Sequence, residues 1–310
     1  MPTVLFKSDA SRADLWVAAF REQAPEIELR VFPEIGRRED IDYALLWQPP
    51  PGLLASLPKL RVVFSVGAGI DHLVSDPELP RHLPLVRMVE RGLSEGMSEY
   101  VAMHVLMHHR HFLDYQAFQR EHRWDEIQQV FAHDRRVGIL GLGALGLECV
   151  ARLRPFGFQL LGWSREPKTV EGVRSFHGPG GLWHMLPETD ILVSLLPLTP
   201  ATRDLFDKKV FHALPRGAYF INAARGGQQV ESDLLAALDS GQLRGASLDV
   251  FQQEPLPADS PFWDHPRVLI TPHVAAMTMA PTAVAQVVAN IRRFERGEPL
   301  QNVVDLTRGY

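Results

Sequence analysis

Arg136-Val137-Gly138-Ile139-Leu140-Gly141-Leu142-Gly143-Ala144-Leu145-Gly146-Leu147 reads as a strand that runs into a glycine-rich turn and out into a helix. Val137, Ile139 and Leu140 suit a parallel strand buried on both faces, and Gly141, Gly143 and Gly146 fill G-x-G-x-x-G at its end. The first glycine permits a tight turn, the second lets backbone approach a pyrophosphate, and the third lets helix pack on strand. Amides at the helix start, those of Ala144 and Leu145 among them, then face the phosphate charge. An apolar run at 158–163 follows the helix at 147–156 and completes a strand-helix-strand unit. The glycines alone would also fit a structural turn. The periodicity on either side is what points to a dinucleotide.

At 310 residues the chain exceeds what one hydrophobic core usually covers, so two domains are expected. A formal net charge of -5 argues against a general nucleic-acid or anionic-membrane surface, and leaves a small anionic ligand possible. Cys149 is the only cysteine, which excludes an intrachain disulfide and fits a reducing compartment. On its helix it reads as a small buried hydrophobe. The opening residues lack the apolar core of a secretory signal, and no run reaches the roughly 18 apolar residues of a membrane helix. A cytoplasmic protein is the expectation.

The first third alternates strands (3–6, 27–32, 43–47, 62–66) with helices (13–23, 53–57), an α/β pattern that implies a parallel sheet covered on both faces. Its fourth strand runs into Val66-Gly67-Ala68-Gly69-Ile70-Asp71, where backbone amides could gather on an anion or simply turn the chain. One helix is expected from Ser94 to about 120, leaving the first domain for the second. Further strands at 191–195, 218–222, 246–250 and 268–270, with a helix at 234–238, extend the second domain. An amphipathic helix at 281–297 returns to the first. The expected boundaries are 1–98 with 277–310, and 99–276.

His104, His108 and His111 recur at helical spacing and with His109 form the densest histidine cluster, but the glutamate of H-E-x-x-H is missing and no acidic ligand stands close, so a packed or interfacial face is expected and no metal. The polar stretch 121–135, carrying Trp124, Ile127, Val130 and Phe131, reads as an excursion over the surface that could reach a second subunit.

Three polar residues follow strand ends: Arg225 after Phe220-Ile221-Asn222-Ala223-Ala224, Glu254 after Leu248-Asp249-Val250-Phe251, and His273 after Ile270-Thr271-Pro272. In an open parallel sheet such ends line the ligand crevice, so these residues can meet beside a nucleotide. Gly141 to Gly146, Asn222-Ala-Ala-Arg-Gly-Gly227, Leu248-Asp-Val-Phe-Gln-Gln-Glu-Pro-Leu-Pro257 and Thr271-Pro-His-Val-Ala275, taken in order, resemble the D-isomer-specific 2-hydroxyacid dehydrogenase family. The resemblance implies two doubly wound parallel-sheet (Rossmann-like) α/β domains with a substrate cleft between them. It also implies that Arg225 holds the substrate's carboxylate and carbonyl, His273 exchanges the proton, and Glu254 supports His273. Pro197 is assigned to the cofactor, as is Asp249, which either approaches the nicotinamide carboxamide or caps a turn. Val66, Gly67, Ala68 and Gly69 are assigned to the substrate, and a homodimer is expected.

The chemistry agrees with those assignments. Hydride arriving at a 2-oxo acid leaves negative charge on the carbonyl oxygen, which a fixed cation and a proton donor both stabilise. Arginine's planar fork pairs with a carboxylate in two bonds where lysine makes a point contact.

NAD-preferring sites place Asp or Glu about 20 residues past the glycine turn to bind the ribose hydroxyls. Here Glu166 falls late, while Ser164, Arg165 and Lys168 offer a hydroxyl and two cations to a ribose phosphate of about 1.5 to 2 negative charges. NADPH is the expected cofactor. The Ser-Arg-x-x-Lys pattern, Trp47 at a strand end and Glu90-Arg-Gly-Leu-Ser-Glu-Gly-Met97 resemble the glyoxylate and hydroxypyruvate reductase branch, with a small 2-oxo acid as substrate. Trp47 would wall the substrate pocket or belong to the core. A nucleotide-sensing binding protein on the same fold, or a dehydrogenase for another small acid, stands as the alternative.

Overall fold

The computed structural model describes residues 1–8 and 13–308. In chain order the first elements are β1 (Thr3–Lys7), α1 (Ala13–Gln23), β2 (Glu28–Val31), β3 (Tyr43–Leu46), β4 (Val62–Ser65), α2 (Asp71–Val74) and β5 (Leu85–Val86). Then follow α3 (Arg91–His109), α4 (Phe112–Arg120), β6 (Arg136–Leu140), α5 (Ala144–Leu153), β7 (Gln159–Ser164), β8 (Val173–His177) and α6 (Gly178–Met185). The chain continues through β9 (Ile191–Ser194), α7 (Lys208–Ala213), β10 (Ala218–Asn222), α8 (Glu231–Asp239), β11 (Leu243–Leu248), β12 (Val268–Ile270) and α9 (Ala280–Glu295).

These elements form two compact units, Met1–Leu93 with Met277–Tyr310 and Ser94–Ala276. The first unit holds a five-stranded sheet in the order β2-β1-β3-β4-β5, and the second a seven-stranded sheet in the order β12-β11-β10-β9-β6-β7-β8. Strand pairing is parallel throughout both, so every strand of a sheet delivers its carboxyl end to the same edge. The apolar runs explain the burial: Tyr43, Ala44, Leu45 and Leu46 of β3 and Val137, Ile139 and Leu140 of β6 are fully buried. Two apolar layers cover the large sheet, one with Phe206, Phe211, Phe220 and Phe262, the other with Val101, Val105, Cys149 and Leu153.

The returning helix α9 is tied into the first unit by Gln23 Nε2, which donates to the Pro281 carbonyl at 2.9 Å, and by the Arg292–Glu26 pair at 2.7 Å. Glu295 meets Arg61 at 2.7 Å and the Tyr43 hydroxyl. Among the described residues no helix is long and apolar enough to cross a membrane.

The single helix expected from Ser94 to about 120 is broken instead. His111 takes a left-handed conformation (φ +58°) between α3 and α4, and its buried ring meets the Tyr219 hydroxyl at 3.2 Å and Asp114 at 3.6 Å. The contact to Tyr219 of β10 and the pairing with Asp114 of α4 outweigh the local helical pattern. His104, His108 and His109 are buried on α3, with His108 Nε2 meeting Ser247 Oγ at 2.8 Å. Burial pushes His104 down to about 4, and burial with the neighbouring His104 charge pushes His108 down to about 3, so both rings are neutral near pH 7.

Candidate active site

At the end of β6, Gly141 has φ +104°, a left-handed-side conformation that L side chains avoid, and its amide donates to the Trp163 carbonyl at 2.9 Å. A Cβ on Gly146 would stand 1.9 Å from the Gly141 carbonyl oxygen, so α5 crosses the turn closer than any other residue would allow. Gly143 is different. It precedes α5 with no side-chain cap, and a Cβ there would meet nothing within 4 Å. Uncapped amides at a helix start beside open space are a cradle for an anion, and a side chain at Gly143 would fill it. The turn therefore fits a dinucleotide pyrophosphate.

The cations expected to read the ribose phosphate stand at the end of β7. Lys168 Nζ donates to the Leu142 carbonyl at 2.7 Å, placing an ammonium over the glycine turn itself. Ser164 Oγ donates to the Glu166 carbonyl at 2.7 Å, which tightens the bend after the strand. Arg165 is partly exposed, with Nε 3.9 Å from Glu166 Oε1. Pro197 lies past β9, the neighbour of β6, and its carbonyl accepts from Thr202 Oγ1 at 2.6 Å and Gln228 Nε2 at 3.1 Å.

β10, β11 and β12 are adjacent, so the loops bearing Arg225, Glu254 and His273 leave the same sheet edge side by side. Glu254 Oε2 lies 2.7 Å from His273 Nδ1, and Oε1 accepts from the Phe251 amide at 3.0 Å. Burial pushes the Glu254 carboxyl up. The His273 bond and charge, the Phe251 amide and the Arg225 charge together outweigh it and hold Glu254 below the usual carboxylate range. Glu254 is thus an anion facing the imidazole. Arg225 Nη1 donates to the Ala224 carbonyl at 2.7 Å, which anchors the guanidinium against its own loop.

His273 itself is left-handed (φ +54°), a conformation that costs a non-glycine residue roughly 1–3 kcal/mol unless its surroundings impose it. Asp249 imposes it. Its carbonyl accepts from the His273 amide at 2.8 Å, and its buried carboxylate accepts from Thr271 Oγ1 at 2.6 Å and from the Val274 and Ala275 amides at 2.9 Å each. Burial raises the Asp249 carboxyl, against the pull of these donors. Tyr100 closes the arrangement, its hydroxyl 2.8 Å from Thr271 Oγ1.

In the first unit, Trp47 follows β3 and Val66, Gly67, Ala68 and Gly69 follow its neighbour β4. The Trp47 ring lies against the turn: a Cβ on Gly67 would stand 3.0 Å from Trp47 Cζ3. His72 packs on the same indole, ring centres 4.3 Å apart. Ser65 Oγ bonds the Gly69 carbonyl at 2.9 Å and accepts from the Gly67 amide at 3.2 Å, while Thr278 Oγ1 holds the Val66 carbonyl at 2.8 Å. Trp47 therefore belongs to the turn proposed for the substrate, beside the sheet core.

Tyr100, Thr271 and His72, and the buried amides Asn222, Gln228 and Gln229, support these residues with no role assigned to them in the sequence. Asn222 and the two glutamines had one visible signal, polar residues bracketing Arg225 where a buried strand ends.

A dinucleotide turn and a carboxylate–imidazole pair on adjacent loops of a parallel sheet define a nucleotide-dependent oxidoreductase class of site. Residues 102–275 match the family model for the NAD binding domain of D-isomer specific 2-hydroxyacid dehydrogenases. Glyoxylate/hydroxypyruvate reductase A of Escherichia fergusonii is 43% identical over 312 residues, covering 99% of each chain. A D-isomer specific 2-hydroxyacid dehydrogenase from Xanthobacter autotrophicus, solved with NADPH and MES, superposes with a TM-score of 0.95 at 42% identity, over 100% of this chain and 99% of that one. The NADPH-dependent glyoxylate/hydroxypyruvate reductase of Sinorhizobium meliloti, solved with NADP and sulfate, gives 0.93 at 43% identity over 100% and 99%. The chain belongs to the D-isomer specific 2-hydroxyacid dehydrogenase family.

Proposed function

We propose that this protein is an NADPH-dependent reductase of small 2-oxo acids, glyoxylate and hydroxypyruvate foremost, forming the 2-hydroxy acids. The observation that carries the reading is the 2.7 Å contact between Glu254 and His273 Nδ1, on loops that leave the sheet beside Arg225. The names and bound nucleotides of the relatives support it.

In this reading, Gly141, Gly143 and Gly146 with the Ala144 and Leu145 amides hold the pyrophosphate. Ser164, Arg165 and Lys168 hold the ribose phosphate, and Pro197 and Asp249 border the nicotinamide end. When bound, NADPH supplies the hydride. Arg225 pairs with the substrate carboxylate and carbonyl, with Trp47, Val66, Gly67, Ala68 and Gly69 as further substrate contacts. Glu254 takes Nδ1 of His273, which leaves Nε2 to deliver the proton to the developing alkoxide.

A homodimer is part of the proposal. Trp124 is 97% exposed and Phe131 73%, and Met103 and Phe112 add apolar surface on the same stretch of chain, which a second copy would cover. Cytoplasmic residence is proposed with it, from the lone buried Cys149. The test is NADPH consumption by the purified protein across glyoxylate, hydroxypyruvate, pyruvate and larger 2-oxo acids. Turnover concentrated on glyoxylate and hydroxypyruvate is expected; tight NADPH binding with no turnover on any of the acids would refute the proposal.

A further inference from the structure

Asn222 and Gln229 are fully buried amides behind the Arg225 loop. Asn222 ends β10. Its Oδ1 accepts from the Ala224 amide at 3.1 Å, and its Nδ2 donates to the Arg225 carbonyl at 3.2 Å and to Gln229 Oε1 at 2.9 Å. Gln229 Nε2 donates in turn to the Val250 carbonyl at 3.3 Å, and the Gln229 carbonyl accepts from Gln252 Nε2 at 2.7 Å. The next amide along, that of Phe251, holds Glu254 Oε1 at 3.0 Å. The two loops also touch backbone to backbone, because a Cβ on Gly226 would stand 1.9 Å from the Phe251 carbonyl carbon.

A chain of contacts, buried at its middle links and part-buried at its ends, thus runs from the backbone of Arg225, through two amide side chains and one peptide, to the carboxylate that grips His273. Filling this space requires no amide, since apolar side chains of equal volume would pack it without directional demands. Amides bonded at both ends set distance and orientation, and burial makes the setting strict because a broken bond leaves a polar group with no water to turn to.

We propose that Asn222 and Gln229 are positioning residues that hold the Arg225 loop at a set spacing from the Glu254–His273 pair, so that the carboxylate-binding cation and the proton donor address the same small 2-oxo acid. The inference rests on the roles given above to Arg225 and His273.

The test is a double-mutant cycle on the full chain, with glyoxylate and NADPH. Gln229→Met removes both ends of the link at nearly constant volume, and Asn222→Ala removes it from the other side. Each is expected to lower kcat/KM by about tenfold, mainly through KM, with the Kd for NADPH unchanged within about twofold. In an Arg225→Ala background the same substitutions should cost less than about twofold, because the group being positioned is gone. Equal factors in both backgrounds would overturn the proposal, since a general packing role needs no Arg225. Should Gln229→Met fail to fold, Asn222→Ala completes the same cycle. Arg225→Ala with full activity would refute the role of Arg225 itself, and the proposal with it.

Discussion

Replacing Glu254 with glutamine is the sharpest perturbation of the acid–base pair, because it deletes a charge and almost no volume. In the native protein Oε2 faces His273 Nδ1 at 2.7 Å and Oε1 faces the Phe251 amide at 3.0 Å, so both positions must be acceptors. Glutamine has one acceptor and one donor: with its oxygen on Nδ1 its amide nitrogen meets the Phe251 N–H donor to donor, and turned the other way it meets Nδ1 as a donor, which accepts only in a neutral ring with its proton on Nε2. A hydrogen bond to a charged group is worth about 1.5–3 kcal/mol, equivalent to roughly a 10- to 10²-fold change in rate. The side chains of His273 and Glu254 are 31% and 32% exposed, so water screens the pair and the lower figure applies. The assay is kcat/KM for glyoxylate reduction at saturating NADPH. In Glu254→Gln kcat/KM should fall by about tenfold, with the Kd for NADPH unchanged. On the acid side, Glu254 is held below the usual carboxylate range, so its stabilising contribution is complete above the ordinary carboxylate pKa and is lost progressively as pH falls from there through the lowered value. A kcat/KM within about twofold of wild type would refute the reasoning.

Gly143→Ala should fold normally, since its Cβ meets nothing within 4 Å, yet bind NADPH at least about tenfold more weakly by calorimetry. Unchanged affinity would remove the pyrophosphate from this turn. Arg165→Ala should weaken NADPH by about tenfold or more and leave NADH nearly untouched; equal losses for the two would contradict a ribose-phosphate role. The buried histidines predict acid lability. His104 at about 4 and His108 at about 3 resist protonation in the fold, while the unfolded chain takes up both protons near pH 6.5. Stability is therefore complete above that pH and falls below it, by about 1.4 kcal/mol per unit for each ring. Urea midpoints measured from pH 7 to 5 should fall less steeply in His108→Gln, and identical slopes would show that His108 titrates normally.

The parts of the fold that could be read in advance were those decided locally. Gly141, Gly143 and Gly146 announce the turn because each spacing answers a steric demand, and β3 and β6 announce themselves as short apolar runs. Arg225, Glu254 and His273 were legible as polar residues following strand ends, where parallel sheets collect their ligands. Elements decided by distant partners were not legible. The break at His111 depends on Tyr219 in another strand, and β8 carries half-buried Val173 and Phe176 at a sheet edge with no apolar run to mark it. Helix α6 starts Gly178-Pro179-Gly180-Gly181, a poor helix former held by burial of Leu182 and Met185 and by Trp163 Nε1, which donates to the Gly178 carbonyl at 2.8 Å. Asp249 could be read as a cofactor contact or a turn cap. That its carboxylate gathers Thr271, Val274 and Ala275 beneath His273 emerges only when residues 22 to 26 positions apart meet.

The central claim is that His273, backed by Glu254, moves the proton during reduction. The most direct measurement compares wild type with His273→Asn for the single-turnover rate of NADPH oxidation by glyoxylate, with the Kd for NADPH determined for both. The account predicts equal nucleotide affinity and a rate lower by about 10²–10⁴-fold in the variant. Equal rates at equal affinity would contradict it.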